Sequence, residues 1–246
     1  MSRILTPSRR IWTPLSRQRG FVCLPGGLGA GRPSGGGGDP YYSSRVLGLH
    51  MDGANGSTTF TDNSPSPKTV TANGGAQIST AQSKFGGASG YFDGSGDWLS
   101  LPTTSDLYFP GDFTFESYLW KSASGLRTIL HGNANGSLTI QISDSTIDIG
   151  RSNIAYVMRP AYTPTLNSWF YFALTRSGTT YRVFVDGILT GTVIDANGLV
   201  NAQFGIGGIS GLTSWWSGYM DEVRITKGVA IYTADFTPPA AAFPDF

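Results

Sequence analysis

Within Asn167–Thr192 the chain doubles back twice, and its apolar residues cannot form one helix face. Phe170, Phe172 and Leu174 alternate with Tyr171, Ala173 and Thr175, and Val183 and Val185 alternate with Arg182 and Phe184. A period of two is that of a pleated strand, whose successive side chains point to opposite faces. Ser177-Gly178-Thr179 separates the first two runs, and Asp186-Gly187 ends the second. Asp-Gly between strand-like runs predicts a two-residue hairpin turn, because both central residues need positive φ. The stretch therefore predicts an antiparallel meander of three strands, rich in aromatic and β-branched residues suited to a half-buried pleated surface.

The same signal recurs along the chain. Strands are predicted over residues 46–51, 68–72, 90–92, 98–101, 112–120, 127–131, 137–142, 146–149, 155–158, 203–206 and 218–225. Helical turns are predicted only over 105–108 and 228–232. Glycine occurs 34 times in 246 residues, which fits many short strands joined by tight turns. So many strands with almost no helix predict two packed antiparallel sheets. The single cysteine, Cys23, excludes an intrachain disulfide, so core burial must supply the stability. No apolar run approaches a membrane span, and "FVCLPGGLGA" is too broken by Pro and Gly for the core of a signal peptide.

Residues 1–44 read differently. Arg3, Arg9, Arg10, Arg17, Arg19 and Arg32 face no acid before Asp39, so the first 38 residues carry +6. With a net charge of +1 for the whole chain, the remainder carries −5. Gly35–Gly38 reads as a flexible linker. Ile11, Trp12, Leu15, Phe21 and Val22 are interleaved with the arginines. A tail for nucleic acid needs fewer apolar residues, so the pattern favours docking on a protein surface, with Trp12 and Phe21 as anchors and Arg9, Arg10, Arg17 and Arg19 at the rim. The expected organisation is an arm and linker over 1–44, a sandwich over 45–239 and a tail over 240–246.

The blocks "LHMDGANGSTTFTDNS", "KFGGASGYFDGSGDWLSLP", "DFTFESYLW", "SWFYFALTRSGTTYRVFVDG" and "GYMDEVRITKGVAIYTADFTPP" carry a resemblance over residues 46–239. In this order they resemble the laminin-G-like branch of the concanavalin A-like jelly-roll superfamily. The ending "YTADFTPP" resembles domains found in tailed-phage structural proteins. The resemblance implies an all-β, two-sheet antiparallel jelly-roll. It also implies one structural calcium ion, with Asp52 and Asp221 in the places expected of its ligands; the competing reading has Asp52 capping a turn and Asp221 bonding backbone amides. Glucanases of the superfamily carry an E-x-D-x-(x)-E run, and glycoside hydrolysis needs two facing carboxylates. Here Glu116 is alone on its strand and fits pairing with an arginine such as Arg224, and Asp148 has no acidic neighbour two residues away. His50 and His131 complete no triad and read as structural.

Trp215-Trp216 is the candidate for sugar binding. Adjacent strand residues face opposite ways, so at most one belongs to the core. The other is placed to stack on a pyranose, between loops 131–137 and 207–214, with Asn133 and Asn135 offering amides; the competing reading packs it under a loop. Trp98, Trp120 and Trp169 read as core or sheet-face packing. The expected function is a non-enzymatic phage virion accessory protein, a tail, fibre or head-decoration subunit. It would be assembled in the host cytoplasm, homo-oligomeric on the particle, and docked to other virion proteins through residues 1–38. Its sandwich would face a cell-surface glycan, with no membrane or nucleic-acid partner. The alternatives are a divergent glycan-processing enzyme and a structural cement protein without ligand.

Overall fold

The computed structural model describes residues 38–246. The anchoring residues Arg9, Arg10, Trp12, Arg17, Arg19 and Phe21 lie outside them. Fifteen strands follow a short 3-10 turn over Tyr42–Ser44. They are β1 (Arg45–Leu49), β2 (Thr71–Asn73), β3 (Gln77–Ser79), β4 (Ser89–Asp93), β5 (Trp98–Ser100), β6 (Phe113–Lys121), β7 (Arg127–Gly132) and β8 (Leu138–Ile142). The second half adds β9 (Ile147–Arg151), β10 (Ala155–Met158), β11 (Trp169–Ser177), β12 (Thr180–Val185), β13 (Ile188–Ile194), β14 (Phe204–Ile206) and β15 (Ser217–Lys227). The three predicted meander strands are β11, β12 and β13. Asp186 and Gly187 take φ of 49° and 80°, as the predicted turn requires.

An eight-stranded sheet runs β13-β12-β11-β6-β15-β4-β3, with β1 also on β15. A seven-stranded sheet runs β10-β9-β8-β7-β14-β5-β2. All pairings are antiparallel, and the two inner faces close over one apolar core: Leu47, Phe92, Phe115 and Phe172 from the first sheet meet Leu99, Leu130, Ile140 and Phe204 from the second. This is the two-sheet jelly-roll expected. One predicted detail differs. Residues 228–232 are not helical; they run extended across the sheet, where Thr114 Oγ1 donates to the Val229 carbonyl at 2.9 Å and accepts from the Ile231 amide at 2.9 Å. Residues 105–108 form a single turn, closed by the Tyr108 amide on the Ser105 carbonyl at 3.3 Å.

The folded unit extends past both expected ends, 45 and 239. Asp39 is buried and pairs with Arg45 at 3.0 Å and with Arg224 at 2.7 Å. Phe243 is buried, its amide donates to Glu222 at 2.8 Å, and the Arg224 guanidinium lies 3.9 Å from its ring centroid. Residues 228–243 thus cover much of the outer face of the eight-stranded sheet, forming a second apolar cluster with Tyr118, Tyr171 and Phe184. Glu116 lies beneath it, fully buried. It accepts from Arg224 Nε at 2.6 Å, from the Tyr232 hydroxyl at 2.8 Å and from the Tyr171 hydroxyl. The arginine partner read from the sequence is therefore present.

Candidate functional site

The seven-stranded sheet is finished differently. Its strands alternate, so Leu99 is core and the flanking Trp98 and Ser100 face outward. On β7, Leu130 packs inward and His131 lies half-exposed beside β14. After Ile206 the chain leaves the sheet and returns, with the Trp216 amide bonding the Gly207 carbonyl at 2.6 Å and the Thr128 amide bonding the Ser214 carbonyl at 2.7 Å. The excursion folds back onto β14. A Cβ at Gly205 would strike the Gly208 carbonyl oxygen and crowd the Trp98 ring, so only glycine lets the loop sit this close.

Between this loop and the 131–135 turn lies a cleft of about 400 Å³. It is lined by Trp98, His131, Asn133, Asn153 and Gln203, with Ile209, Ser210, Gly211 and Leu212 as the opposite wall. Asn133 and Gln203 hold each other: the Asn133 amide donates to the Gln203 carbonyl at 3.0 Å and the Gln203 amide to Asn133 Oδ1 at 3.1 Å. Asn153 Nδ2 donates to Asn135 Oδ1 at 3.0 Å. Asn153 itself has φ 57°, which asparagine tolerates better than most residues. Burial pushes the His131 pKa down, so the ring is neutral at pH 7, with one nitrogen to donate and one to accept. Its Nδ1 is buried without a partner. Among the described residues no acid, lysine or arginine lines the cleft. Ser152 Oγ comes within 3.4 Å of His131 Nε2, but Ser152 is buried and its hydroxyl donates to the Gly132 carbonyl at 3.0 Å, so it is not presented as a nucleophile.

The sugar-site residues read from the sequence are only partly united here. Trp216 is fully buried in the core, where its Nε1 donates to the Tyr219 carbonyl at 3.3 Å, and no ligand can stack on it. Trp215 is the outward member of the pair, half-buried against Gly208 on the far side of the loop, and does not line the cleft. Asn133 lines the cleft; Asn135 supports it through Asn153. Trp98, assigned to packing from the sequence, is the cleft's aromatic residue, and His131 faces it. Asn153 and Gln203 carried no motif. The alternation on β5 held the signal for Trp98, since a core Leu99 turns Trp98 outward.

Asp52 and Asp221 do approach one another. Opposite β6, β15 bulges between Asp221 and Arg224, where its other neighbour changes from β4 to β1. Asp221 is buried there, and Oδ2 accepts from the Lys84 and Phe85 amides at 2.8 and 3.1 Å. Its Oδ1 is buried with no partner. Burial, with the nearby Glu222 and Asp52 charges, pushes the carboxyl up to about 7. Asp52 is exposed, packs on Gly86 and accepts from the Ala88 amide. The orphaned oxygen fits a cation ligand, but the described residues hold no group of three or more acidic, His or Cys side chains able to bind a metal. A cation here would need backbone carbonyls for most of its shell.

A family profile described as the concanavalin A-like lectin/glucanases superfamily matches residues 93–230. No curated protein matches the sequence. Among solved structures, the chain is similar to the binding domain of botulinum neurotoxin serotype D, at 13% identity and a TM-score of 0.62 over 78% of this chain and 51% of that one. It is similar to a structure titled for the cell entry of botulinum neurotoxin type C, described as dependent upon interaction with two ganglioside molecules, at 14% identity and a TM-score of 0.58 over 78% and 50%. It is also similar to the binding domain of Paraclostridial Mosquitocidal Protein 1, at 11% identity and a TM-score of 0.61 over 76% and 49%. The chain spans about half the length of these structures, and the likeness is one of fold.

Proposed function

Because the chain belongs to the concanavalin A-like lectin/glucanases superfamily, we propose that it is a non-catalytic binding protein whose cleft beside Trp98 takes a cell-surface glycan. The observation that carries this is the cleft's chemistry. One indole face, three side-chain amides and a neutral imidazole surround an uncharged space of sugar size. An indole covers the apolar face of a pyranose, and amides both donate to and accept from its hydroxyls. The ganglioside dependence stated for the type C neurotoxin supports sugar as the ligand class. Hydrolysis is disfavoured because the cleft has no carboxylate pair. A glycan array tests the reading. The full chain should retain a defined set of glycans and Trp98→Ala should lose them, while a polysaccharide hydrolysed by the wild type would overturn it.

In the finer reading the protein is a phage virion subunit. Residues 1–38 dock it to other particle proteins, and repeated copies raise the effective concentration of the displayed sandwich. The +6 charge of that segment and its interleaved apolar residues support this. A chain beginning at Asp39 keeps the buried Asp39–Arg224 pair and should fold yet fail to join particles; incorporation at normal copy number would sink the reading. A structural calcium ion held in part by Asp52 and Asp221 is a separate proposal, supported by the orphaned Asp221 Oδ1.

A further inference from the structure

We propose that the outer face of the eight-stranded sheet carries a second glycan site, a transverse aromatic row that takes an extended neutral polysaccharide. The row is set by register. Trp169 pairs with Trp120, Trp120 with Tyr219, Tyr219 with Tyr91, and Tyr91 with Gln77, so five strands contribute one residue each to one line. The four rings touch in sequence, with centroids 5.7 Å apart for Trp169–Trp120, 6.4 Å for Trp120–Tyr219 and 5.1 Å for Tyr219–Tyr91. At the strand spacing of about 4.8 Å they span roughly 14 Å.

All five residues are half-buried, whereas the neighbouring row is covered. Tyr171 lies under Phe236, and Tyr118 under Phe85 and Lys84. The covering segments stop one row short, leaving a strip of four rings. The Tyr91 and Tyr219 hydroxyls and the Trp120 and Trp169 indole N–H groups donate to no protein atom among the described residues. A packing ladder would bury these tips or pair them.

Charge selects the occupant. The row itself holds no charged side chain; Asp93 and Asp97 lie near its Tyr91 end and Asp186 near its Trp169 end, so an anionic lipid or nucleic acid meets only like charge, and the rings between offer a basic peptide no acid. A neutral sugar chain matches it, with C–H faces for the rings and hydroxyls for the unpaired tips and the Gln77 amide. At the Trp169 end the row meets a recess of about 80 Å³, where Thr165, Ser168 and Asp186 join Tyr162 and Phe170. Those polar groups suit a chain end. The site stands whether or not the Trp98 cleft binds sugar, because the two lie on different sheets.

Cellohexaose, xylohexaose and chitohexaose, titrated into the full chain with tryptophan fluorescence and calorimetry as readouts, test the proposal. At least one should bind and quench. Trp120→Ala and Tyr219→Ala should each weaken it roughly three- to tenfold, the loss of one ring contact. Trp120→Phe and Tyr219→Phe, which keep the packing, should give smaller losses in the same direction, and Trp98→Ala should change nothing. Three results would overturn the proposal: no binding of any hexasaccharide, binding that tracks Trp98 instead of the row, or light scattering that shows a dimer lost in Trp120→Phe. The first and third leave the cleft reading intact, and array binding that is unchanged in Trp98→Ala would sink the cleft alone.

Discussion

On the outer face of the eight-stranded sheet, Glu116, Arg224 and Asp39 lie buried beneath residues 228–243; on the outer face of the seven-stranded sheet, Trp98, His131 and Gln141 lie beside the 207–216 loop. Around Glu116 the first face spends its polar groups on one another, although Asp221 Oδ1 and Arg45 Nε stay unpartnered among the described residues. Arg224 satisfies two carboxylates, Tyr171 and Tyr232 satisfy the rest of Glu116, and His50 ties Glu222 to Asp245 at 2.8 Å on either side. The second face leaves polar groups unspent, as the unpartnered His131 Nδ1 shows. A buried charge network is stable only when complete, so the first face holds the terminal segments in one arrangement. A face with spare donors and acceptors has chemistry left for a ligand.

The largest test removes the centre of the network. Arg224→Met leaves Glu116 and Asp39 buried without their shared cation, and should cost about 3–5 kcal/mol in chemical denaturation. A loss below about 1 kcal/mol would mean the first face is not held by its charges. Next comes His50, whose pKa is raised from 6.5 to about 9, foremost by the Glu222 hydrogen bond. Its contribution is therefore fully present below pH 6.5 and is lost as pH rises through about 9. That amounts to at most about 3 kcal/mol, so the wild type should lose stability between pH 7 and 9 and His50→Gln should not. An identical slope in both proteins would remove His50 from the comparison.

Calcium comes third. If Asp52 and Asp221 hold an ion, EDTA should lower the melting temperature and Asp221→Ala should abolish that response. Without an ion, Asp221 titrates from a raised pKa of about 7 and weakens the fold as pH climbs from about 4 to 7. Asp221→Asn should then stabilise it at pH 8. The smallest stability effect belongs to the open face: Trp98→Ala, half-exposed, should cost under about 1 kcal/mol while removing glycan binding at the cleft. A loss as large as that of Arg224→Met would make Trp98 a packing residue and erase the contrast.

The strands and their kind follow from local sequence alone. Alternation in β6, β11 and β12, and the Asp186-Gly187 turn, are local properties of pleat and φ, legible without knowing what the strands pair with. The sequence also pointed to Glu116 with an arginine such as Arg224, because an acid alone on its strand needs a partner when buried. Which tryptophan faces out depends on how the chain is folded over long range. Trp215 and Trp216 look alike in sequence, and the core claims Trp216 because the chain re-enters the sheet after Ser214. Asp39 reaches Arg224 across 185 positions. The cleft gathers residues from 98, 131, 133, 153, 203 and 209–212, which share no spacing and meet because β5, β14 and β7 are neighbours. Local periodicity says which side chains lie on one face of a strand; long-range pairing says which strands lie side by side and what covers them, and binding sites are built by the second.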